Sequence, residues 1–334
     1  NGMQSDVRVI ADNVFGAALN YFTGNVDHNV ELRKIAISKG YKLSEYGLFN
    51  RKTDRLVSGH TEEELYKKLG LRYIEPELRE MRGEIEAARR GKLPDLVNLK
   101  DVKGDLHTHT KFSDGSNTIV EMAEAAKKLG YEYVAITDHS KSDTIARGMD
   151  EKKLQKYLKA IEDARKKVKG IKILAGSEVY IHPDGKLDYP DKILQKLDVV
   201  LASIHRNFKL SREQQTKRII RVISNGNVHI LGHLTTRKIG SRPMIDFDAK
   251  KVFKAAADAG VLLEVNGGPD RLDLPDSLVK EALEMGCKFA INSDAHNADQ
   301  LRFVEYGVYV ARRGWCSTAD VANTLSYAKL AKYF

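Results

Sequence analysis

The sequence has little of what extracellular and membrane proteins depend on. It contains two cysteines in 334 residues, Cys287 and Cys316, too few for a disulfide framework, and this favours a reducing compartment. No apolar run approaches the length of a membrane-spanning helix, and the first residues lack the pattern of a signal peptide. Internal repeats and low-complexity tracts are also missing, so a repeat architecture is not expected. A cytoplasmic protein that does not bind a membrane is the expectation.

The charge of the chain is unbalanced towards the positive. Fifty-five lysines and arginines face 46 acidic residues, which gives a net charge of +9. Most of this excess lies after residue 103. Such an excess is compatible with a polyanionic partner, and it is equally compatible with a well-solvated surface. The length and the 42% hydrophobic content suit one large domain, or one large and one small domain.

The first 80 residues have the pattern of a small α+β unit. Residues 6–10 read as a strand, residues 14–23 and 25–39 as helices, and residues 42–49 and 55–57 as short strands. Thr61 and Glu64 form the signature of a capping box and predict that another helix begins there. The highly charged segment 79–101 reads as a helix followed by a linker.

From residue 102 onwards, short apolar runs alternate with amphipathic stretches. Seven such units predict an α/β fold with a parallel sheet wound by helices. An open doubly wound sheet is one possibility, but a distorted (β/α)7 barrel is favoured because polar residues follow nearly every strand and would meet at one barrel mouth. The predicted strands are 104–106, 133–137, 171–176, 198–203, 228–232, 261–265 and 288–292. The predicted helices are 119–129, 151–168, 213–224, 249–259 and 275–285.

Histidines and carboxylates follow these predicted strands. His107 and His109 come two residues apart, so in an extended backbone both rings point to one side and can bind one ion. Taken alone, each such residue is more often an ordinary hydrogen-bonded side chain, but six of the ten histidines lie at predicted strand ends. This joint placement predicts a metal cluster. The nine candidate ligands are His107, His109, Asp114, His139, Glu178, His205, His233, Asp294 and His296.

Nine ligands exceed the needs of one ion and predict two or three divalent ions with bridging carboxylates. Nitrogen and oxygen ligands without cysteine suit Mn²⁺, Zn²⁺ or Fe²⁺ and do not choose among them. Adjacent ions favour phosphoester hydrolysis, with amide hydrolysis by a two-metal amidohydrolase as the chemical alternative. Catalysis is assigned to His107, His109, Glu178, Asp294 and Asp138; the last has the alternative roles of a helix N-cap or a partner of a histidine.

Four basic residues lie just beyond the candidate ligands and are candidates for binding substrate phosphates. They are Lys141, Arg206, Arg237 and Arg271. The alternative is that they only solvate the surface. The sixth predicted strand, 261–265, is the one without a candidate ligand, and Asn266 after it either contacts substrate or shapes a turn.

Together these motifs resemble the full motif set of the PHP (polymerase and histidinol phosphatase) domain. The residues that carry the resemblance are His107, His109, Asp114, Asp138, His139, Glu178, His205, His233, Asp294 and His296. The resemblance covers about two-thirds of the chain. It implies a distorted seven-stranded, TIM-like barrel, phosphoesterase chemistry and a trinuclear centre in which all nine candidates are ligands.

A second constellation lies near the start of the chain. Tyr21 and Phe22 offer flat surfaces for a sugar or base, and Gly24 allows a ligand to approach the backbone closely. Asn29 and Arg33 lie four residues apart on one face of a predicted helix. From physical reasoning alone, a buried aromatic pair and an exposed polar face are the favoured interpretation.

This constellation nevertheless resembles the thumb of family X DNA polymerases. The resemblance implies that Tyr21, Phe22 and Gly24 lie against the incoming nucleotide and that Asn29 and Arg33 contact the nascent base pair. It places Asp6 at the third catalytic carboxylate of the palm. Bacterial and archaeal members carry a PHP domain after the thumb. Residues 1–80 are thus expected to form the end of the palm and the thumb, residues 81–102 a linker, and residues 103–334 the PHP domain.

Family X polymerisation needs three carboxylates, and the two that come from an earlier palm strand are not in this sequence. The chain is therefore expected to be the C-terminal part of a longer polymerase, with the N-terminal polymerase domains as its partner, and to synthesise no DNA. The resemblance implies Mn²⁺-dependent 3′→5′ exonuclease activity on DNA 3′ ends, with 3′-phosphatase or abasic-site cleavage as further activities. The alternatives are a small-molecule phosphatase of the histidinol-phosphatase type and a non-catalytic DNA-binding module.

Overall fold

The chain divides into two units in the computed structural model, which describes residue 2 and residues 4–334. The first unit ends at Pro94, and the second is Asp95–Phe334. The first unit contains helices α1 (Phe15–Thr23), α2 (Val26–Ser38), α3 (Glu62–Lys68) and α4 (Glu84–Arg90), and strands β1 (Tyr41–Ser44), β2 (Gly47–Asn50) and β3 (Leu56–Ser58). The strands form an antiparallel sheet in the order β1-β2-β3.

Side-chain caps mark the start of two helices in the first unit. The Asn25 side chain accepts a hydrogen bond from the backbone N–H of His28 at 2.8 Å and caps α2. Thr61 does the same for the N–H of Glu64 at 3.2 Å, so the predicted start of α3 is confirmed. The expected helices are present. The stretch 42–49, expected as one short strand, contains two strands, β1 and β2, and the stretch 55–57 corresponds to β3.

The strand predicted at residues 6–10 is wrong. These residues adopt no regular structure, and Val7 and Val9 are 93% and 97% exposed. A β-strand needs a hydrogen-bonded neighbour, and the sheet of the first unit pairs only β1, β2 and β3 within the described residues. Alternating apolar residues alone are therefore not enough to form a strand in this segment.

The second unit is a seven-stranded parallel sheet wrapped by helices. Its strands are β4 (Gly104–Asp105), β5 (Tyr133–Ile136), β6 (Lys172–Tyr180), β7 (Val199–Ser203), β8 (Ile230–Leu231), β9 (Leu262–Asn266) and β10 (Phe289–Asn292). Its helices are α5 (Ile119–Lys128), α6 (Glu151–Lys167), α7 (Asp191–Leu194), α8 (Arg212–Ile223), α9 (Ala249–Ala259), α10 (Asp276–Glu284), α11 (Val304–Arg313) and α12 (Tyr327–Leu330). The strands neighbour one another in chain order, from β4 to β10. This order confirms the barrel and excludes the doubly wound sheet, in which the strand order reverses.

Side chains join the two outer strands and nearly close the barrel. Asn292 of β10 accepts a hydrogen bond from the N–H of Leu106 at 3.1 Å. The amide of Asn323 donates to the carbonyls of Gly104 at 2.8 Å and Ile291 at 2.5 Å. Beyond the strands, the N–H of His109 donates to the carbonyl of Ala295 at 2.8 Å. These bonds bring the ends of β4 and β10 together.

The inner face of the barrel changes from apolar to polar along the strands. Leu174, Leu201 and Leu262 belong to a buried inner cluster to which every strand, or the residue next to it, contributes. Two and four residues further along β9 lie the buried Glu264 and Asn266, on the same face. The barrel is thus filled with hydrocarbon at one end, and its polar groups gather at the carboxyl ends of the strands.

Strand β6 is longer than the sequence indicated. It continues to Tyr180 because β7 pairs with it in parallel register from Gly176↔Val199 to Tyr180↔Ser203. Glu178 therefore lies inside a buried strand, where its position is fixed by the sheet. Among the helices of the described residues, none is both long and apolar enough to cross a membrane.

Candidate metal centre

The nine candidate ligands lie together at the carboxyl end of the barrel. Glu178 is at their centre and is fully buried. Its Oε1 lies 2.8 Å from His233 Nε2 and 2.9 Å from His205 Nε2. Its Oε2 lies 2.9 Å from His139 Nδ1 and 3.5 Å from His107 Nε2. One carboxylate thus faces histidines from four different strand ends.

Two further carboxylates complete the cluster. Asp294 Oδ1 lies 3.1 Å from His109 Nε2 and 3.4 Å from His107 Nε2. Asp114 Oδ2 lies 3.3 Å from His296 Nε2 and 3.6 Å from His139 Nε2. Asp294 has a positive φ of 56°, a backbone conformation that is costly for a residue with a side chain and that is found often at functional sites.

The donor atoms fit divalent cations. Among the buried side-chain atoms of the described residues, six in this cluster have no hydrogen-bond partner: His107 Nε2, His109 Nδ1, His139 Nδ1, Glu178 Oε2, His205 Nδ1 and His233 Nδ1. A buried polar atom without a partner is costly. His139 Nδ1 and Glu178 Oε2 are 2.9 Å apart without hydrogen-bond geometry, as two ligands of one ion would be.

The donor atoms form overlapping sets, each small enough to surround one ion. These sets are His109, Asp114, His139 and His296; His107, Glu178 and His233; His107, His109 and Asp294; and His139, Asp143 and His205. All nine predicted ligands occur in at least one set. Imidazole and carboxylate together suit Zn²⁺, Mn²⁺ or Fe²⁺.

The carboxylates and the rings perturb one another's ionisation. Burial alone raises the pKa of Glu178, but His205, His139 and His107 outweigh it and hold this pKa well below its usual range. Burial opposes protonation of His205, whereas Glu178 and Asp143 raise its pKa to about 9. Burial lowers the pKa of His233 to about 4. Without an ion, protons on these rings compensate the charge of the buried carboxylates, and a divalent cation would displace these protons and take over that role.

Asp138 has a different set of contacts. Its carboxylate accepts hydrogen bonds from the N–H and hydroxyl of Thr110, at 2.8 and 2.6 Å, and from the hydroxyl of Ser113 at 2.5 Å. Burial raises its pKa. Asp138 belongs to none of the sets of candidate ligands in the described chain. These contacts support a role in holding the loop that carries Asp114, and its catalytic role stays a prediction.

Two carboxylates at the site, the buried Glu264 and the half-buried Asp143, were missed from the sequence. Glu264, on the strand without a candidate ligand, lies with Oε1 2.7 Å from His107 Nδ1. Asp143 follows no strand directly, and its Oδ2 lies 2.8 Å from His205 Nδ1 and 3.8 Å from His139 Nδ1. A glutamate within an apolar β-run was a usable signal, because such a residue is rarely buried without a partner. Asp143 lies in a polar loop, where the sequence contains no comparable signal.

A cleft of about 610 Å³ opens onto the cluster, and the four predicted phosphate-binding residues differ in their relation to it. Arg206 and Arg271 line it, whereas Lys141 and Arg237 are not among its lining residues. Arg237 instead donates to the backbone carbonyl of Arg271 at 2.7 Å. Two basic residues that were not predicted, Lys238 and Arg242, also line the cleft.

Arg271 is the basic residue nearest the cluster. Its Nε lies 3.5 Å from Asp294 Oδ2, and its side chain is 14% exposed. One of its terminal nitrogens is buried and has no hydrogen-bond partner among the described residues. A guanidinium with an unused donor beside a cation site is suited to bind an anionic oxygen of a substrate.

The residues singled out in the first unit surround the turn between α1 and α2. Tyr21 and Phe22 meet edge to face with ring centres 5.0 Å apart, and Phe22 is 52% exposed. The guanidinium of Arg33 lies 5.7 Å from the Tyr21 ring centre. The Asn29 amide donates to the carbonyls of Tyr21 and Gly24 at 2.8 and 3.1 Å, so it closes the turn. Exposed Phe22 and Arg33 leave a surface that a ligand can reach.

The remaining predicted residue of this unit is Asp6. It is exposed and lies in the irregular segment before α1. Among the described residues, no hydrogen bond or ion pair joins it to Tyr21 or Arg33, and its assignment as a palm carboxylate stays a prediction.

Comparison with known protein families gives two matches. Residues 18–80 match the family described as DNA polymerase beta thumb, and residues 105–268 match the PHP domain. The thumb match contains Tyr21, Phe22, Asn29 and Arg33, and the PHP match begins two residues before His107. The two matches fall in the two structural units.

Similar proteins include polymerases and phosphatases. The chain is 39% identical over 321 residues to the DNA polymerase/3′-5′ exonuclease PolX of Bacillus subtilis, a match that covers 96% of this chain and 56% of that protein. It is 34% identical over 241 residues to a probable phosphatase of Thermoanaerobacter, covering 69% of this chain and 93% of that protein. Among solved structures, the histidinol phosphate phosphatase of Lactococcus lactis has 18% identity and a TM-score of 0.46, covering 64% of this chain and 93% of that one. A likeness this weak carries no argument.

Proposed function

Because the chain belongs to the PHP family and joins its PHP domain to a DNA polymerase beta thumb, as the C-terminal part of a family X DNA polymerase does, we propose that it is a metal-dependent phosphoesterase that removes nucleotides from DNA 3′ ends. The chain spans about half the length of the polymerase that it resembles. The proposal concerns the activity of the PHP domain within this chain.

The observation that carries the proposal is the cluster of unpartnered donor atoms at one end of the barrel. Six buried nitrogen and oxygen atoms that lack a hydrogen bond belong to Glu178 and to five of the histidines around it. All nine ligands expected of a trinuclear PHP centre lie in this cluster. An inactive relict is not expected to keep a costly arrangement of this kind complete.

The residues divide the work of hydrolysis among them. The ions would be held by the overlapping sets described above: His107, Glu178 and His233; His107, His109 and Asp294; His109, Asp114, His139 and His296; and His139, Asp143 and His205. When bound, divalent ions would supply a nucleophilic water at neutral pH and offset the charge that develops on the phosphoryl oxygens. Arg271 and Arg206 bind the non-bridging oxygens of the phosphodiester from the cleft wall.

The first unit supports DNA as the substrate. It matches a polymerase thumb, and it exposes Phe22 and Arg33, an aromatic ring and a cation suited to a nucleotide. The net charge of +9 and the basic lining of the cleft fit a polyanion. Binding of a small phosphate ester requires neither a polymerase thumb nor an extended basic surface.

The test is a digestion assay on single-stranded DNA labelled at its 5′ end, with the chain reconstituted with Mn²⁺. A ladder of labelled products that shortens from the 3′ end, and that is blocked by a 3′-terminal phosphorothioate, is expected. Immediate release of the labelled nucleotide would reveal the opposite polarity. An absence of digestion in protein shown to contain metal would reject the exonuclease.

Replacing His107 and His109 together by alanine is expected to abolish digestion, because both rings face Asp294 and Glu178 at 3.1–3.6 Å. His60→Ala is the matched control, since His60 is an exposed histidine of the first unit. Circular dichroism and thermal unfolding establish that each variant folds. Digestion at the wild-type rate by the double variant would exclude these residues as ligands.

A small-molecule phosphatase is the second candidate, because the Thermoanaerobacter relative is named a probable phosphatase and is matched over nearly its full length. The same metal-loaded protein is assayed with histidinol phosphate in parallel. Phosphate release from this ester without digestion of DNA would favour the second candidate. Release from neither substrate, with metal bound, would favour a DNA-binding module.

A further inference from the structure

Strand β9 gives the metal centre a residue that is not itself one of the nine ligands. Glu264 lies in the middle of this strand, and its side chain is fully buried. It is on the inner face of the barrel, between Leu262 of the apolar cluster and Asn266 at the rim. A carboxylate at this depth is stable only if its oxygens are fully hydrogen-bonded.

Four donors from four different strand ends meet this carboxylate. Oε1 accepts from His107 Nδ1 at 2.7 Å and from the Asn292 amide at 2.9 Å. Oε2 accepts from the backbone N–H of His233 at 2.6 Å and from the Asn266 amide at 3.2 Å. Two of these four donors belong to proposed metal ligands.

These contacts determine which nitrogen of His107 can bind a metal. When Nδ1 carries a proton and donates it to Glu264, the lone pair is on Nε2. Nε2 is the atom that lies 3.4 Å from Asp294 and 3.5 Å from Glu178, and it has no hydrogen-bond partner of its own. Glu264 therefore turns the free lone pair of His107 towards the cluster.

The second contact fixes His233. Its backbone has a positive φ of 24°, which a residue with a side chain rarely adopts. The bond from its N–H to Glu264 holds this conformation, and its Nε2 lies 2.8 Å from Glu178. One carboxylate thus positions two histidines that face Glu178 from different strands.

From this geometry we propose that Glu264 is a positioning residue of the metal centre, which fixes the tautomer of His107 and the backbone of His233 so that both histidines bind the same group of ions. This inference rests on the proposed metal centre. Carboxylates that orient metal-bound histidines typically contribute 10- to 100-fold to metal affinity.

The first test leaves Glu264 unchanged. The chain labelled with 15N-histidine is loaded with Zn²⁺, and long-range 1H–15N spectra are recorded, with His107→Gln used to assign the ring. His107 is expected to bind zinc through Nε2 and to keep a slowly exchanging proton on Nδ1. Coordination through Nδ1 would overturn the proposal.

The second test is Glu264→Gln, which replaces one carboxylate oxygen by an NH₂ group. That group must face either His107 or the N–H of His233, so two donors then oppose each other at one of the two ligands. A chelator competition titration with Zn²⁺ is expected to show that the affinity of one bound ion falls about 10- to 100-fold while the others are retained.

Asp273→Asn is the matched control. Asp273 is also fully buried and accepts two hydrogen bonds, from the N–H and hydroxyl of Thr235, but it contacts none of the nine ligands. The zinc affinity of the Asp273→Asn variant is expected to stay within about twofold of that of the wild type. Wild-type affinity in Glu264→Gln would overturn the positioning role, whereas a wild-type chain that binds no zinc would contradict the proposed function itself.

Discussion

At the scale of single residues, the candidate metal centre separates groups suited to bind metal from a group suited to bind substrate. The nine ligands face one another, whereas Arg271 stands at the edge, with Nε 3.5 Å from Asp294 and a buried terminal nitrogen that has no partner among the described residues. Arg237 holds the backbone of Arg271 in place, because its guanidinium donates hydrogen bonds to the carbonyls of Arg271 and Leu272. An arginine held in this way has donors ready for an incoming phosphate.

Arg271→Ala is therefore expected to lower kcat/KM for single-stranded DNA by roughly 10- to 100-fold, because a hydrogen bond to a charged group contributes about 1.5–3 kcal/mol. The kcat/KM of Arg271→Lys is expected to lie between the values of Arg271→Ala and the wild type, because lysine keeps the charge and loses the planar pair of donors. Metal content measured on the same samples separates substrate binding from loss of an ion.

Arg90→Ala serves as the control for the loss of one positive charge, because Arg90 is an exposed residue of α4. Full activity in Arg271→Ala would exclude the phosphate role. A parallel loss of metal and activity would assign Arg271 to the support of Asp294 instead.

Most residues of the candidate site, but not all of them, could be predicted from the sequence. The nine candidate ligands could be predicted to lie together because they follow apolar runs, and parallel strands end at one rim. Asp143 and Glu264 were missed for different reasons. Asp143 reaches His205 from a loop whose path the sequence does not determine, and Glu264 lies inside a strand that had no candidate at its end.

At the scale of secondary structure, the short strand β8 depends on a histidine that must be neutral. His229, just before β8, accepts a hydrogen bond from the backbone N–H of Val200 at 3.0 Å through its Nδ1. Its own N–H and carbonyl bond to Val200 and Leu262, on the neighbouring strands. Burial lowers its pKa from 6.5 to about 4. Protonation would remove the acceptor and weaken the link between β7 and β8.

The sign of the resulting pH dependence follows from this depressed pKa. The stability that neutral His229 contributes is fully present above pH 6.5, the value in the unfolded chain, and is lost as the pH falls towards 4. Between pH 7.5 and 5.5 the loss amounts to about 1 kcal/mol in the free energy of unfolding. His229→Asn keeps an acceptor that does not titrate, so this variant is expected to lose about 1 kcal/mol less than the wild type over the same interval.

Urea unfolding at both pH values, with a chelator present so that metal binding does not contribute, measures this difference. Parallel losses in the wild type and the variant would show that the pKa of His229 is not depressed in the folded chain. The comparison of two chains removes the contribution of the remaining ionisable groups, because they are common to both.

The elements of the barrel were easier to predict than those at its margins. Each barrel strand lies between helices and pairs with its neighbour in chain order, so an apolar run in the sequence corresponds to a strand in the fold. Residues 6–10 have the same alternation, yet they form no strand since no described strand pairs with them. The end of β6 at Tyr180 likewise depends on β7, which a local pattern cannot reveal.

At the scale of the whole molecule, each of the two units carries positive charge that the proposed function would direct to a different feature of DNA. In the first unit, exposed Arg33 lies beside Tyr21 in a match to a polymerase thumb. In the second, Arg206 lines the cleft above the metal centre. The thumb is expected to bind the duplex next to a 3′ end, whereas the cleft is expected to bind the single strand that is hydrolysed.

These two modes of binding can be separated through their dependence on salt. Each phosphate contact contributes about 0.7 to the slope of log affinity against log salt for single strands and about 0.9 for duplex DNA. For a four-nucleotide single strand, Arg206→Ala is expected to reduce this slope by about 0.7 and Arg33→Ala to leave it unchanged. For a duplex with a recessed 3′ end, Arg33→Ala is expected to reduce the slope by about 0.9. Fluorescence anisotropy in a metal-loaded, non-hydrolysable complex made with phosphorothioate DNA measures both slopes. Equal effects of the two substitutions on both substrates would contradict the division of labour, because they would mean that both arginines contact the same stretch of DNA.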